Sequence, residues 1–111
     1  MALKSGIPEF IAGLEAAVRA AELAGAEMVV ASAKERVPYD PATKHHLRDA
    51  IHTEETEEGV LVVAGDKDAF WGNWVEHGTT HSPPHPFLVP ALEENRAAII
   101  DGVSAAIRKL T

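Results

Sequence analysis

Apolar and small residues recur every three or four positions over two long segments, one near each end of the chain. In the first segment, residues 8–37, these positions are Leu14, Val18, Ala21, Gly25, Met28 and Ser32. This spacing marks one face of an α-helix. Pro8 suits the first helical turn, because its missing N–H would have no partner there, and Pro38 ends the segment. The pattern predicts a long N-terminal helix that packs tightly along a face of small residues.

The second segment, residues 88–110, predicts a C-terminal helix. Arg108 and Lys109 lie at its end, where positive charge is favourable to the helix dipole. Gly102 weakens such a helix by about 1 kcal/mol relative to Ala, so we expect it to mark a close contact. The positions that share one stripe of this helix are Leu88, Leu92, Asn95, Ile99, Val103, Ala106 and Leu110.

The middle of the chain predicts β-structure. Residues 51–65 fit a β-hairpin, with weak alternation, a turn at Gly59 that can supply a positive φ, and β-forming residues after it. The aromatic segment, residues 69–78, fits either a further strand or a short helix, and residues 79–87 form a Pro-rich loop. We therefore predict a single α+β domain over residues 1–111. Its small antiparallel β-sheet, a hairpin plus a further strand, packs against the long N-terminal helix and the C-terminal helix.

Composition removes several classes of function. The chain of 111 residues contains no cysteine, which excludes disulfides and thiolate metal sites. Its formal net charge of -7 disfavours a protein that grips nucleic acid by neutralising phosphates. The sequence lacks both the apolar run of about 18 residues that a transmembrane helix needs and the apolar core of a secretory signal.

An acidic run lies within the predicted hairpin. Its simplest interpretation is a solvated hairpin tip, and the alternative is a cation site. Neighbouring residues of a strand point to opposite faces, which makes convergent ligands hard to assemble there. The residues are Glu54, Glu55, Glu57 and Glu58.

Three histidines at four-residue spacing suggest a metal site. His77, His81 and His85 would share a face if they lay on a helix, but glycine and prolines between them break any regular helix. Ser82 lies beside His81, yet nothing marks a nucleophile elbow. A small histidine-metal hydrolase therefore remains an alternative, while the preferred prediction has no catalytic residue, no cofactor and no metal.

The order of three sequence blocks is more informative than any single residue. They are Leu-Arg-Asp-Ala-Ile at 47–51, Phe-Trp-Gly-Asn-Trp-Val-Glu-His-Gly-Thr at 70–79 and Pro-His-Pro-Phe-Leu-Val-Pro-Ala-Leu at 84–92. This order resembles the HK97 gp10-like family of tailed-phage neck and tail-completion proteins. The resemblance spans nearly the whole chain, and the last block is its most specific part. The sequence departs from the family pattern at residues 40–46, which replace an Asp-Thr-Gly step, and at His77, which replaces an aromatic residue.

The resemblance implies a structural virion protein rather than an enzyme. Such proteins are expected to form a ring, often a hexamer, at the head–tail junction. The ring would join a head connector or stopper protein to the tail tube or terminator protein. DNA would pass through the channel without specific binding, and no membrane is involved. The protein would be made and assembled in the bacterial host cytoplasm. The alternative outside this family is a soluble adaptor domain unrelated to phage.

Within this role we expect two sets of contact residues. The acidic residues 54–58 would lie at a hairpin tip that faces the lumen or a neighbouring ring. The expected interface set combines aromatic anchors with a rigid arm before the C-terminal helix. Its members are Trp71, Trp74, Pro83, Pro84, Pro86, Phe87 and Leu88.

Overall fold

The computed structural model describes residues 7–38, 41, 44–67 and 69–110. Residues 40, 42 and 43 of the divergent 40–46 stretch lie outside the described residues, as do residues 1–6 and 111 of the predicted domain. The α+β fold class is confirmed. The elements are helix α1 (Ile7–Arg36), a 3-10 turn (Leu47–Ala50), strands β1 (Ile51–Glu55) and β2 (Val60–Ala64), and helices α2 (Gly72–His77) and α3 (Leu88–Arg108).

Helices α1 and α3 run antiparallel and form the long axis of the molecule. Gly25 allows their close approach, because a Cβ there would lie 3.0 Å from Cγ1 of Ile99. Further toward the end of α1, Arg36 pairs with Glu94, and Ser32 Oγ donates to the same carboxylate at 3.2 Å. From Gly25 to Arg36 the chain advances along α1, while the contacted residue on α3 moves back from Ile99 to Glu94, so the two helices are antiparallel.

The buried face of α1 differs from the predicted one. Met28, expected to face inward, is 40% exposed. The helix is covered on two sides, by α3 and by the hairpin, so the buried face lies between the two contacts. It shares Gly25 with the predicted stripe and otherwise follows neighbouring positions. Its residues are Gly25, Ala26, Val29, Val30 and Ala33.

The sheet has two strands within the described part of the chain. Strands β1 and β2 pair antiparallel, with Ile51 opposite Ala64 and Glu55 opposite Val60. The predicted further strand is wrong, because the aromatic segment forms the short helix α2. Its backbone N–H groups find local partners: Val75 N–H donates to the carbonyl of Trp71 at 3.1 Å.

Glycine fixes how α2 sits against the sheet. A Cβ on Gly72, the first residue of α2, would lie 2.6 Å from the carbonyl oxygen of Ala64, at the end of β2. By contrast, a Cβ on Gly102 would meet nothing within 4 Å, so the predicted close contact at this position is wrong. Gly102 lies on an exposed part of α3.

The core lies where the C-terminal half of α1 meets the hairpin and the start of α3. Phe87 and Ile51 are its largest fully buried side chains. The first turns of α1 lie outside this core, which makes the molecule long: its extents are 70 × 27 × 23 Å. Its radius of gyration is 18.4 Å, against about 13 Å for a compact domain of this length. Much of both long helices is thus left without a covering layer.

Candidate interaction surfaces

Glu76 joins α2 to the start of α3. Its side chain is buried, at 9% exposure, and its carboxylate accepts three backbone N–H groups. The donors lie at the beginning of α3, where backbone N–H groups have no partner within the helix. The carboxylate therefore caps α3 from a position well before it in the chain. The donor distances are 3.0 Å from Phe87, 2.8 Å from Leu88 and 3.2 Å from Val89.

The environment of Glu76 stabilises its charged form. Burial raises the pKa of the carboxyl group, but the three backbone N–H donors lower it by more, with a smaller contribution from His77. The net pKa lies below the ordinary value. The cap therefore holds at neutral pH as a carboxylate, the form that accepts hydrogen bonds on both oxygens.

The Pro-rich arm, residues 79–87, folds back onto α2. His85 N–H donates to the carbonyl of Val75 at 2.7 Å, and Thr79 N–H donates to the carbonyl of Ser82 at 2.9 Å. Gly78 has a φ of 78°, and a Cβ there would lie 2.8 Å from the nitrogen of Pro84. The turn thus requires glycine, and the arm has a defined path. Its three prolines, at positions 83, 84 and 86, are exposed.

Phe87 was assigned to the interface set. Its side chain is only 1% exposed, since it fills the core beneath the arm. In the folded chain this side chain packs the core and is not part of the exposed surface. Leu88 is half-buried and packs against the core.

An aromatic patch lies on the outside of the molecule beside the arm. Phe70 is 65% exposed and Trp74 is 52% exposed. Their rings meet edge to face with centroids 5.7 Å apart. Trp71 is half-buried, and its ring meets that of Phe70 edge to face with centroids 5.8 Å apart. It also packs against the core, so it connects the patch to the core. The interface set predicted from the sequence did not include Phe70, although its position directly before Trp71 was a usable signal.

The acidic hairpin tip is held against α1. The turn is closed by a hydrogen bond in which Thr56 N–H donates to the carbonyl of Gly59 at 2.8 Å. Gly59 has a φ of 159°, so the predicted positive φ is confirmed. The Arg19 guanidinium donates to the backbone carbonyl of Glu57 at 3.4 Å. The four glutamate side chains, at 54, 55, 57 and 58, remain exposed.

The histidines do not assemble into a site within the described residues. His77 ends α2, while His81 and His85 lie on the arm, and all three side chains are exposed. Among the described residues there is no group of three His, Cys, Asp or Glu side chains that could hold a metal ion. The four-residue spacing thus has no structural counterpart.

His52 lies between two oxygen atoms that raise its pKa. Its Nδ1 lies 2.8 Å from the carbonyl oxygen of Ala50, and its Nε2 lies 3.1 Å from Glu54 Oε1. The Ala50 carbonyl and then the Glu54 carboxylate raise its pKa above the ordinary value. Since both oxygens accept hydrogen bonds, they favour the doubly protonated ring. Both side chains of this pair are partly exposed to solvent.

An apolar groove of about 550 Å³ opens between α1, β2 and α3. Ala26 and Val29 line it from α1, and Ile99 lines it from α3. Large apolar side chains at its mouth remain in water: Leu61 is 51% exposed and Leu92 is 43% exposed. Exposed apolar surface grouped in this way is typical of a protein contact site.

The fold exposes an aromatic patch and an apolar groove, which are surfaces suited to contacts with other proteins. The chain belongs to the HK97-gp10-like family, whose model, described as "Bacteriophage HK97-gp10, putative tail-component", matches residues 7–78. The predicted family is thereby confirmed. Family membership gives the chain a structural role as a phage tail component carried in the virion.

The matched range covers α1, the hairpin and α2, and it ends at Gly78. The arm and α3, which contain the block at 84–92, lie beyond it. Searches of curated proteins and of solved structures returned no match. In the described part of the chain, no helix has the length and apolar character needed to cross a membrane.

Proposed function

We propose that this protein is a ring-forming component of the phage neck that joins the head connector to the tail as a tail-completion or tail-terminator layer. The observation that carries the proposal is the exposed aromatic pair, Phe70 and Trp74, on a chain of the HK97-gp10-like family. Large aromatic side chains exposed to water on a firm support are typical anchors of protein interfaces.

The support beneath the aromatic pair favours a permanent contact. Trp71 links the patch to the core, and Gly72 seats α2 directly on the end of β2. Glu76 fastens the other end of α2 to α3. A patch held at both ends loses little conformational entropy when a partner binds, and this lowers the cost of assembly. The proposed partners are a second copy, the head connector or stopper protein, and the tail tube or terminator protein.

The charge of the molecule fits a channel that DNA passes through. The net charge is -7, and four exposed glutamates surround the hairpin tip. Acidic groups facing the channel would repel the phosphate backbone, so DNA would slide past without being held. In this proposal the hairpin tip faces the lumen or a neighbouring ring.

Deleting the gene from the phage or prophage that encodes it tests the proposal. We expect electron micrographs to show filled heads and separate tails, with joined particles restored by the native gene. Trp74→Ala should fail to restore joining, because it removes the aromatic anchor and leaves the core intact. The matched control is Asn73→Ala, an exposed neighbour on the same helix, which should restore joined particles. Joined, infectious particles in the absence of the gene would refute the neck function.

A further inference from the structure

A cleft of about 720 Å³ separates the hairpin tip, residues 54–58, from the first half of α1. Acidic residues line both of its walls: Glu15 and Glu22 on α1, and Glu57 and Glu58 on the tip. Among the described residues that line the cleft, Arg19 is the only cation. Charges of one sign on facing walls repel each other, so the tip needs a positive group to remain against the helix.

Arg19 lies between the two walls. Its Nη2 donates to the backbone carbonyl of Glu57 at 3.4 Å, and its Nη1 lies 3.9 Å from Glu22 Oε2. Glu22 is itself close to the turn, because its Oε2 would lie 3.7 Å from a Cβ on Gly59. The guanidinium thus joins the turn to α1. Since it binds a main-chain oxygen, this bond does not use the carboxylate of Glu57.

The base of the hairpin is held by other contacts. Ile51 is buried in the core, and Val62 packs against it. Thr53 Oγ1 donates to Glu27 Oε1 at 3.2 Å. Residues 54–58 are four glutamates and a threonine, all exposed, so the tip contributes no apolar side chain to the core. The contact with Arg19 therefore acts on the tip and leaves the base unaffected.

Holding the tip against α1 has a cost in the folded chain. Arg19 Nη1 is buried and has no hydrogen-bond partner among the described residues. A buried donor without an acceptor is unfavourable, and so is the approach of two acidic walls. Both effects oppose the hydrogen bond from Arg19 to the Glu57 carbonyl. The position of the tip against α1 is therefore finely balanced.

We propose that Arg19 is the positioning residue of the hairpin tip, and that the tip moves away from α1 when the positive charge of Arg19 is lost. The two positions of the tip differ in the charge balance of the cleft, while the core stays the same. In the proposed ring, Arg19 fixes where the four glutamates stand toward the lumen or a neighbouring ring. This consequence rests on the proposed function.

Backbone amide relaxation, measured by nuclear magnetic resonance, tests the role of Arg19. In the native chain we expect order parameters of about 0.85 at Glu57, Glu58 and Gly59, the value of rigid backbone. Arg19→Gln removes the charge and keeps a residue that suits a helix. The three values should then fall below about 0.6, the range of flexible backbone, while those of α1 and α3 are unchanged.

The matched control is Arg96→Gln. It removes an arginine that also pairs with a glutamate at the i,i+3 spacing, since Arg96 lies 2.9 Å from Glu93 on an exposed part of α3. This variant should leave the tip as ordered as in the native chain. The conservative variant Arg19→Lys keeps the charge, so its tip should be more ordered than that of Arg19→Gln.

Charge repulsion is tested in the Arg19→Gln background. Adding Glu22→Gln removes one of the facing carboxylates, and about 1 M salt screens charges beyond roughly 3 Å. Either change should raise the order parameters of the tip again. If neither does, repulsion does not move the tip, and the proposal is wrong.

Three other results would overturn the role of Arg19. They are a tip that is equally ordered in the native chain and in Arg19→Gln, a tip that loosens equally in Arg96→Gln, and a loss of order along the whole of α1 in Arg19→Gln. The last result would mean that Arg19 supports the helix and not the tip.

The outcomes separate the two proposals. If the tip stays ordered in Arg19→Gln while gene deletion still leaves heads and tails unjoined, the neck function stands and the role of Arg19 is wrong. If the tip loosens as expected while particles assemble without the protein, the role of Arg19 stands and the neck function is wrong.

Discussion

At the scale of single residues, Glu76 is the most informative side chain in the molecule. One buried carboxylate accepts the first N–H groups of α3 and thereby fixes where the helix begins. No local pattern could reveal this, because an ordinary cap lies directly before its helix, whereas Glu76 precedes its nearest donor, Phe87, by 11 residues. Glu76 lies in the block at 70–79 that resembles the family. Its role as the cap of α3 could be recognised only once the path of the arm was known.

Replacing Glu76 tests the cap. Glu76→Ala leaves three backbone N–H groups, one buried and two part-buried, without their acceptor, and we expect a loss of about 2–3 kcal/mol in the free energy of unfolding. Glu76→Gln keeps one oxygen and should cost about 1 kcal/mol. Urea denaturation at neutral pH gives both values.

The pH dependence follows from the lowered pKa of Glu76. The cap contributes fully above the ordinary carboxyl pKa, and its contribution is lost as pH falls through the lower pKa of the folded protein. Glu76→Gln should therefore weaken the loss of stability in acid. The control Glu58→Ala, an exposed acid, should change stability by less than about 0.5 kcal/mol. A similar effect from both positions would contradict the cap.

At the scale of elements, periodicity was sufficient where an element is long. The helices α1 and α3 and the hairpin follow from spacing and turn residues. The aromatic segment stayed ambiguous, because six helical residues are too few to show a period. Its position in the fold depends on a distant contact, that of Gly72 with the carbonyl of Ala64.

The buried face of α1 could not be predicted from the helix alone. The apolar stripe starting at Leu14 is real, but the packing partners decide which side is covered. Because the hairpin and α3 both pack against α1, Val29 and Ala33 face the core while Met28 faces water. Phe87 shows the same limit: the Pro-rich block marked a joint, and only the fold shows that its aromatic ring points inward.

Two helical glycines, Gly72 and Gly102, provide a matched pair of changes. Gly72→Ala would place a methyl group against backbone that cannot move freely, and we expect a loss of about 1–3 kcal/mol. Gly102→Ala meets open space on an exposed helix, and we expect a gain of about 0.5–1 kcal/mol. Thermal or urea unfolding of the two variants measures both. A stabilising Gly72→Ala would show that α2 does not sit on the sheet as described.

At the scale of the whole molecule, the core occupies one end and the rest of the helices is left uncovered. The exposed surfaces are an aromatic patch, an acidic hairpin tip, an apolar groove and the apolar first turns of α1. A protein that worked alone would have little use for so much exposed apolar surface. The family of phage tail components supplies a reason, because subunits of an assembly bury such surfaces against neighbours.

The sequence predicted this level of function better than it predicted the individual contacts. The order of its blocks indicated the family, and a match over residues 7–78 confirmed it. The composition could exclude disulfides, but it could not show which surfaces stay open. The groove and the exposed first turns of α1 both result from the offset between α1 and α3. This offset depends on packing at Gly25 and Ile99.

The protein is proposed to form a ring at a fixed place in the phage neck. Electron cryo-microscopy of purified particles, combined with quantitative mass spectrometry of their proteins, tests it most directly. We expect a small, constant number of copies per particle, located as a closed ring between head and tail. Particles that are complete and infectious yet lack the protein, or that carry it at some other place, would contradict the account.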